Sequence, residues 1–496
     1  MKVEPDRVGQ FPFRKAPPDG RKSNFEEVQQ PYSEDQVMRE ADRCLLCGTP
    51  VCIDACPVLL DVRGMNEAVA RGDFKTAYDR IRETNPLLGV TGRCCPQLQG
   101  LCEDACVLKW SGQPIGIGLI QRYVADWERK NSQPAPSMAA HETGKKIAVI
   151  GAGPAGVAAA DLLRRYGHRV VVYESLSTPG GTAWYGIPDY HLPKDVLLHE
   201  IDKVREMGVE IKSGTIVGKD VTLTELLDDN DAALVTTGSK DVKKLDIPGA
   251  DLRGVINGYE FLERIFVDGV GNYLQSPKYD LGNQIVVVGG GDSALDCART
   301  ALRLTGGKGD VTIAYRRAEE DMPADPIMIE EAQEEGVKFR FLAQPARVEG
   351  SGDAIAAAVM DSMRLGEPDK SGRSHPEKIP GKEFRMPCSA LILAIGRGPD
   401  SFLQKKAGLK LGKHDSIEIN DNYGTSMDRV FAAGDVTSGE TLVVKAMESG
   451  REAAQRVHEY LMGLEDQHIS FYERYYKQNL YNTMLEGKVR TDLPPD

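Results

Sequence analysis

The chain has 496 residues, of which 41% are hydrophobic and 27% charged, a composition that predicts a globular protein of about three domains. Its net charge of -13 argues against a general nucleic-acid binder. No apolar run approaches the ~18 residues of a membrane helix, and the first residues lack the apolar stretch of a secretion signal. We therefore expect a cytoplasmic protein that binds neither nucleic acid nor membrane.

Cysteine is concentrated near the N-terminus, where eight of the ten cysteines lie within the first 106 residues. Because disulfides are rarely stable in the cytosol, this crowding indicates metal. The first group is Cys44-x2-Cys47-x4-Cys52-x3-Cys56-Pro57, which has the shape of the bacterial ferredoxin run with two residues added in its middle gap. The second group contains Cys94, Cys95, Cys102 and Cys106. Iron–sulfur clusters are the prediction, and zinc is the alternative metal.

The rest of the N-terminal region has apolar residues at helical spacing. The stretches 65–84 and 117–130 both predict helices, and no strand-like alternation is evident. A polar stretch over 131–144 follows, with the composition of a linker. We predict a mostly helical domain over 1–140.

After the linker, an apolar strand runs into the turn Gly151-x-Gly153-x-x-Gly156 and then an amphipathic helix. Glycine is needed there for the turn, for backbone approach to a pyrophosphate and for helix–strand packing. The next strand ends at Glu174, where a carboxylate can accept both ribose hydroxyls. The segment predicts a dinucleotide site; a glycine-rich turn in an unrelated α/β domain is the alternative.

A second unit of the same kind contains Gly289-x-Gly291-x-x-Ala294. Its following strand ends in Arg316 and Arg317 instead of an acid. Guanidinium groups pair with a 2′-phosphate, which a carboxylate would repel, so we predict NADP(H) over NAD(H). The alternative is that both arginines are solvated surface charges.

Further along, a strand over 430–436 ends in Gly434-Asp435 and precedes a predicted helix over 441–454. Together with Gly180-Gly181 and the GGGDSA segment that contains Asp292, these motifs resemble the two-dinucleotide-domain flavoprotein reductases. The resemblance implies that the first unit and Asp435 bind FAD, while the second unit binds NADP(H).

The fold class implied is α/β, with two Rossmann-like domains preceded by the helical iron–sulfur domain. The implied boundaries are 1–140 for the helical domain, 145–255 and 385–462 for the two parts of the FAD domain, 256–384 for the NADP(H) domain, and 463–496 for a C-terminal tail. A redox-active cysteine pair near the flavin is not expected, because Cys297 and Cys388 are 91 residues apart.

The stretches 41–57, 94–108, 115–127 and 315–323 resemble the small subunit of NADPH-dependent glutamate synthase. Its relatives are the N-terminal module of dihydropyrimidine dehydrogenase and the large subunit of electron-bifurcating transhydrogenases. The family implies two [4Fe-4S] clusters. One would be held by Cys44, Cys47, Cys52 and Cys106, and the other by Cys56, Cys95, Cys102 and Gln121. Cys94 is an extra cysteine here and is the alternative to Cys95.

The resemblance implies an NADPH-oxidising electron-transfer subunit whose electrons leave through the clusters to a larger catalytic or electron-accepting partner protein. The electron-input subunit of a glutamate synthase is the first hypothesis. A bifurcating transhydrogenase subunit, or the input module of another oxidoreductase, is the second hypothesis. A metal-stabilised nucleotide-binding scaffold without turnover is the third. The tyrosine-rich segment at 471–481 is predicted either to dock the partner or to be a disordered end.

Overall fold

The computed structural model describes residues 10–131, 142–269, 281–368 and 374–464. Most of the predicted linker and the tyrosine-rich tail lie outside the described residues. The strands are β1 (Arg14–Lys15), β2 (Gln29–Gln30), β3 (Lys146–Ile150), β4 (Arg169–Tyr173), β5 (Glu210–Lys212), β6 (Ala232–Val235), β7 (Asp241–Val242), β8 (Val255–Asn257), β9 (Gln284–Val288), β10 (Asp310–Tyr315), β11 (Lys338–Phe341), β12 (Ala343–Ser351), β13 (Ala354–Pro368), β14 (Ser374–Pro387), β15 (Ala390–Leu393), β16 (Arg397–Gly398) and β17 (Val430–Ala432).

The helices are α1 (Pro18–Arg21), α2 (Glu34–Asp42), α3 (Val51–Asp54), α4 (Val62–Ala70), α5 (Phe74–Arg82), α6 (Leu88–Cys94), α7 (Ile117–Asn131), α8 (Pro154–Arg165), α9 (Thr182–Tyr185), α10 (Lys194–Glu206), α11 (Leu223–Asp229), α12 (Gly258–Asp268), α13 (Asp292–Leu304), α14 (Pro326–Glu335), α15 (Phe402–Ala407), α16 (Asp435–Ser438) and α17 (Val443–Met462). Short 3-10 helices cover Val107–Trp110, Glu319–Asp321 and Lys413–Asp415.

The N-terminal region is mainly helical, as predicted, and we call residues 10–131 the cysteine module. The predicted helical stretch 65–84 is two helices, because α4 ends at Ala70 and α5 begins at Phe74. The side chain of Asp73 accepts a hydrogen bond from the backbone N–H of Thr76 and so caps α5. The cap signal was present in the sequence, and the apolar period alone overlooked it.

The rest of the described chain is organised around two parallel five-stranded sheets. The first has the order β17-β6-β3-β4-β5, and the second has the order β11-β10-β9-β15-β8. In each sheet the strand before a glycine-rich turn, β3 or β9, is central. The predicted pair of Rossmann-like units is therefore confirmed.

The boundary predicted at 384/385 needs a correction. Strand β15 falls in the predicted second part of the FAD domain, yet it pairs with β9 and β8 in the second sheet. Between β11 and β15 the chain forms an antiparallel meander, β12-β13-β14, which the sequence analysis does not predict. The pairing of β15 with β8 and β9 joins segments far apart along the chain and depends on packing, so local periodicity does not reveal it. The other domain boundaries stay predictions.

The cysteine module packs against the first sheet through one continuous apolar core, in which module residues such as Ile120 and sheet residues such as Val149 are both fully buried. A buried ion pair also crosses this contact, with 2.7 Å between Arg82 Nη2 and Asp161 Oδ1. The module is therefore held rigidly beside the nucleotide-binding part.

Candidate functional site

The first glycine-rich turn joins β3 to α8. Gly151 has φ +107°, and a Cβ there would lie 2.5 Å from the carbonyl oxygen of Thr236, so the fold itself requires glycine. At Gly153 the situation is different, because an added Cβ would meet nothing closer than the Cα of Gly181 at 3.8 Å. The space beside Gly153 is the cradle that a pyrophosphate needs at the start of a helix.

Glu174 closes the first unit at the end of β4. It is 4% exposed, and its carboxylate accepts hydrogen bonds from the backbone N–H groups of Ala152 and Leu176 at 2.8 and 2.9 Å. The Ser175 hydroxyl also donates to Oε1 at 3.1 Å, whereas Oε2 keeps a lone pair with which the oriented group can accept a ribose hydroxyl.

The second glycine-rich turn joins β9 to α13 in the same way. Gly289 has φ +151°, and a Cβ there would lie 2.4 Å from the carbonyl oxygen of Ala394. A Cβ on Gly291 would approach only the ring of Pro323, at 4.0 Å. Asp292 starts α13, and its side chain accepts a hydrogen bond from the backbone N–H of Asp325 at 2.8 Å. This hydrogen bond fixes the loop that precedes α14. Burial raises the pKa of the Asp292 carboxyl group.

Arg316 and Arg317 follow β10 and differ in their surroundings. Arg316 is exposed, whereas Arg317 is 6% exposed and donates a hydrogen bond from Nε to the carbonyl oxygen of Ser374 at 2.7 Å. Of these two guanidinium groups, only that of Arg316 is open to solvent. The structure therefore gives different surroundings to two arginines for which the sequence predicts the same role.

Both turns open into one cavity of about 1210 Å³, which we call the nucleotide cavity. Asp435 also lines it; burial raises the pKa of this carboxyl group to about 6, and Thr441 donates a hydrogen bond to it at 2.7 Å. The predicted cofactor residues on its wall are Gly151, Gly153, Glu174, Gly181, Gly289, Gly291, Asp292, Ala294, Arg316, Arg317 and Asp435. Gly156 and Gly434 are not on the wall; they lie at the helix starts behind it.

Sequence reasoning missed a charged pair on this wall. Arg397 Nη2 lies 2.7 Å from Glu440 Oε1, and the Arg397 guanidinium stacks over the Tyr259 ring at 4.2 Å. Arg397 follows β15 of the second sheet, and Glu440 lies between β17 of the first sheet and α17. The ion pair therefore connects the two nucleotide-binding regions. The only signal in the sequence is an arginine that follows shortly after a buried strand.

The cysteines of the module line two further cavities. The four-cysteine cavity is lined by Cys44, Cys47, Cys52 and Cys106, and the three-cysteine cavity by Cys56, Cys95, Cys102 and Gln121. Cys94 lies on neither wall and instead lines the nucleotide cavity. The structure therefore brings together each predicted ligand set, and it places Cys95 rather than Cys94 beside Cys56 and Cys102.

Burial governs the chemistry of these thiols. It raises the pKa of Cys52 to about 12 and raises the pKa of Cys56, Cys95 and Cys102. Thiolates in such surroundings need a cationic centre to offset the lost solvation, and bound iron supplies one. Cysteine-lined, buried cavities therefore fit iron–sulfur clusters. Within the described ranges no three His, Cys, Asp or Glu side chains are grouped as a single metal ion would require.

Shared or neighbouring lining residues connect the nucleotide cavity to the three-cysteine cavity and that cavity to the four-cysteine cavity, an order that we call the row of cavities. Val443 lines the nucleotide cavity and the next residue, Val444, lines the three-cysteine cavity. Ile117 lines both cysteine cavities. Electrons leaving the nucleotide cavity would therefore meet the three-cysteine cavity before the four-cysteine cavity. Among the helices described, none is long and apolar enough to cross a membrane.

These features define an oxidoreductase that joins a flavin- and pyridine-nucleotide-binding pair of domains to an iron–sulfur module. Residues 145–450 match the model of the pyridine nucleotide-disulphide oxidoreductase family, to which the chain belongs. Residues 21–133 match the 4Fe-4S domain II of dihydropyrimidine dehydrogenase. The chain accordingly uses FAD, NADP(H) and [4Fe-4S] chemistry.

Among curated relatives, the small chain of NADPH glutamate synthase from Escherichia coli is 37% identical over 450 residues, which cover 89% of this chain and 95% of the relative. The chain belongs to this small-chain family. The beta subunit of the NADP(+)-dependent formate dehydrogenase of Moorella thermoacetica is 36% identical over 83% of this chain and 60% of the relative. Mycobacterium tuberculosis FprA in complex with NADPH shares the fold, with a TM-score of 0.54, 20% identity, and coverage of 65% of this chain and 86% of FprA.

Proposed function

We propose that the chain is the electron-input subunit of an NADPH-dependent glutamate synthase and delivers electrons to a larger partner subunit. The observation that carries the proposal is the row of cavities, because both nucleotide turns share one cavity and two cysteine-lined cavities continue from it. When bound, FAD takes a hydride from NADPH and releases the two electrons singly, which is how iron–sulfur clusters accept them.

The residues of the nucleotide cavity bind and orient. The N–H groups at the start of α8 would face a pyrophosphate beside Gly153, and the buried carboxylate of Glu174 would accept an adenosine ribose hydroxyl. Asp435 is placed to bind a polyol hydroxyl, and Arg316 to pair with the 2′-phosphate of NADP(H). No acid, base or nucleophile is assigned, because hydride transfer between the two cofactors requires none.

In the cysteine module, we assign one [4Fe-4S] cluster to the four-cysteine cavity and a second to the three-cysteine cavity, with Gln121 as its fourth ligand. A neutral oxygen in place of one thiolate removes a negative charge, so the second cluster should have the higher potential if other influences are equal.

Two measurements test this function. Anaerobic addition of NADPH to the purified chain should bleach the flavin and generate the EPR signals of reduced clusters; failure to bleach would leave only a scaffold role. Mixing the chain with the large chain of the E. coli synthase should then give glutamate from glutamine, 2-oxoglutarate and NADPH.

The resemblance to the formate dehydrogenase beta subunit favours a second candidate, an electron-transfer module of another NADP-linked complex. Reduction of flavin and clusters by NADPH without any glutamate formation in the reconstituted mixture would favour this candidate. Coupling of NADPH to ferredoxin and NAD in the native complex would indicate a bifurcating partner.

A further inference from the structure

Gln121 presents an amide to the three-cysteine cavity, and an amide can face a metal with either of two ends. Only the carbonyl oxygen carries lone pairs for iron, whereas the NH2 end has donors alone. Gln121 is 5% exposed, so solvent does not select the orientation. Some protein group has to hold the oxygen toward the cavity.

The amide nitrogen of Gln121 is held from behind by two acceptors. Nε2 donates to the carbonyl oxygen of Leu88 at 2.5 Å and to the hydroxyl oxygen of Thr91 at 2.6 Å. Turning the amide over would place its oxygen against the Leu88 carbonyl, an arrangement of two acceptors with no proton between them. Gln121 Oε1 has no hydrogen-bond partner among the described residues, so it remains available to the cavity.

The role of Thr91 as an acceptor is itself determined by its neighbours. Its hydroxyl donates to the carbonyl oxygen of Leu87 at 3.0 Å, which uses its only proton. Asn85 then donates from Nδ2 to the same hydroxyl oxygen at 2.7 Å. The amide of Asn85 cannot be reversed, because its Oδ1 accepts from the backbone N–H of Leu87 at 3.0 Å.

A chain of fixed hydrogen bonds thus runs from the backbone at the start of α6 to the Gln121 amide nitrogen and leaves the amide oxygen unbonded. Asn85 and Thr91 are 1% and 2% exposed, so water does not replace either partner. Both residues also line the three-cysteine cavity. Buried, fully satisfied networks of this kind specify a single side-chain arrangement.

We propose that Thr91, oriented by Asn85, is a positioning residue that holds the carbonyl oxygen of Gln121 toward the three-cysteine cavity as a cluster ligand. The inference rests on the assignment of Gln121 in the proposed function. It adds a requirement for a residue outside the ligand set, one that a ligand motif does not contain.

The first experiment uses the anaerobically purified full chain with Thr91→Val, which keeps the shape and removes the hydroxyl. The unchanged chain should contain about eight iron atoms, four for each cluster. Thr91→Val should lose up to half of this iron and change the EPR signal of one cluster, with FAD content unchanged. Thr91→Ser, which restores the hydroxyl, should restore both.

Thr84→Val is the matched control, because Thr84 is also a fully buried threonine of the module, and its hydroxyl donates to Leu59 at 3.4 Å without contacting Gln121. It should keep about eight iron atoms and both EPR signals. Equal iron loss in Thr84→Val and Thr91→Val would assign the effect to packing and overturn the proposal.

A second experiment repeats Thr91→Val in a Gln121→Glu chain. The buried carboxylic acid offers an oxygen to the cavity in either orientation, and the proton on its other oxygen can donate to the Leu88 carbonyl, so Thr91→Val should no longer affect iron content or the EPR signal. An equal loss in both backgrounds would overturn the positioning role. The Gln121→Ala variant tests the ligand assignment separately from the positioning role of Thr91. Unchanged iron and spectra in this variant would overturn both. Iron loss in Gln121→Ala without any change in Thr91→Val would overturn the positioning role alone.

Discussion

The nucleotide-binding part and the cysteine module prepare their sites by different means. In the nucleotide-binding part the site is formed by backbone groups. Glycine leaves room for a phosphate, and the N-termini of α8 and α13 point toward that space. In the second, the critical positions are side chains, gathered from separate helices and turns into buried cavities. Adding a methyl group at a glycine turn should therefore impair nucleotide binding in the first region. Replacing a cysteine sulfur should impair cluster binding in the second.

The largest effect is expected from adding a methyl group at a phosphate turn. Gly153→Ala meets no protein atom closer than 3.8 Å, so the chain should fold, but the methyl fills the space for the pyrophosphate. The purified variant should lack FAD while retaining iron. Gly291→Ala is the matched variant: it should keep FAD and lose NADPH binding. Loss of both nucleotides in either variant would contradict the separation of the two turns.

Cysteine replacements test whether the side chains of the cysteine module hold the clusters. Cys95→Ser should lower iron from about eight toward about four atoms per chain, because it removes a thiolate from the three-cysteine cavity. Cys94→Ser should leave the iron unchanged, since Cys94 lines the nucleotide cavity. Iron analysis and flavin absorbance of both variants check this. The reverse result would make Cys94 the ligand.

The contact between the two regions is expected to respond to pH. Burial alone would raise the pKa of Asp161, but Arg165 and Arg82 hold it well below its ordinary value. This contribution to stability is complete above the ordinary pKa of an aspartate and decreases as the pH falls below it. Arg82→Met should therefore lower the free energy of unfolding by roughly 1.5–3 kcal/mol at pH 7 and flatten its dependence on acid pH.

Denaturant unfolding at pH 7 and at about pH 3, below the ordinary pKa of an aspartate, provides the measurement. The control is Arg71→Met, which removes an exposed partner of Glu67 and should change the free energy of unfolding by less than about 0.5 kcal/mol. Similar losses in the two variants would show that the buried pair does not join the regions.

The smallest effect is expected from the arginines after β10. Arg316→Gln should raise the KM for NADPH about tenfold to a hundredfold and leave that for NADH nearly unchanged, because a charge-assisted contact to the 2′-phosphate is lost. Arg317→Gln should instead lower thermal stability, since its guanidinium is bonded to the Ser374 carbonyl. Steady-state kinetics with a small electron acceptor and thermal melts separate the two roles. Equal weakening of NADPH and NADH in Arg316→Gln would exclude the phosphate contact.

Much of the fold could be predicted because its signals are local. The turn at Gly151 needs a positive φ and a close approach to Thr236, and glycine is the residue that allows both. The same reasoning located Gly289 and the two central strands. By contrast, the place of β15 in the second sheet depends on pairing across long distances in the chain. The break between α4 and α5 and the antiparallel meander are local, but apolar spacing alone does not predict them.

From the sequence alone, glycine spacing, cysteine spacing and the charge at each strand end predicted two dinucleotide sites, a metal module and the order of these parts, and the family resemblance implied FAD at the first site. Only the tertiary structure decided which of two adjacent residues faces a site, Cys95 rather than Cys94 on the three-cysteine cavity and Arg316 rather than Arg317 in solvent. The reason is physical: spacing sets where the backbone turns, but the direction of a side chain is set by what packs against it from elsewhere in the chain.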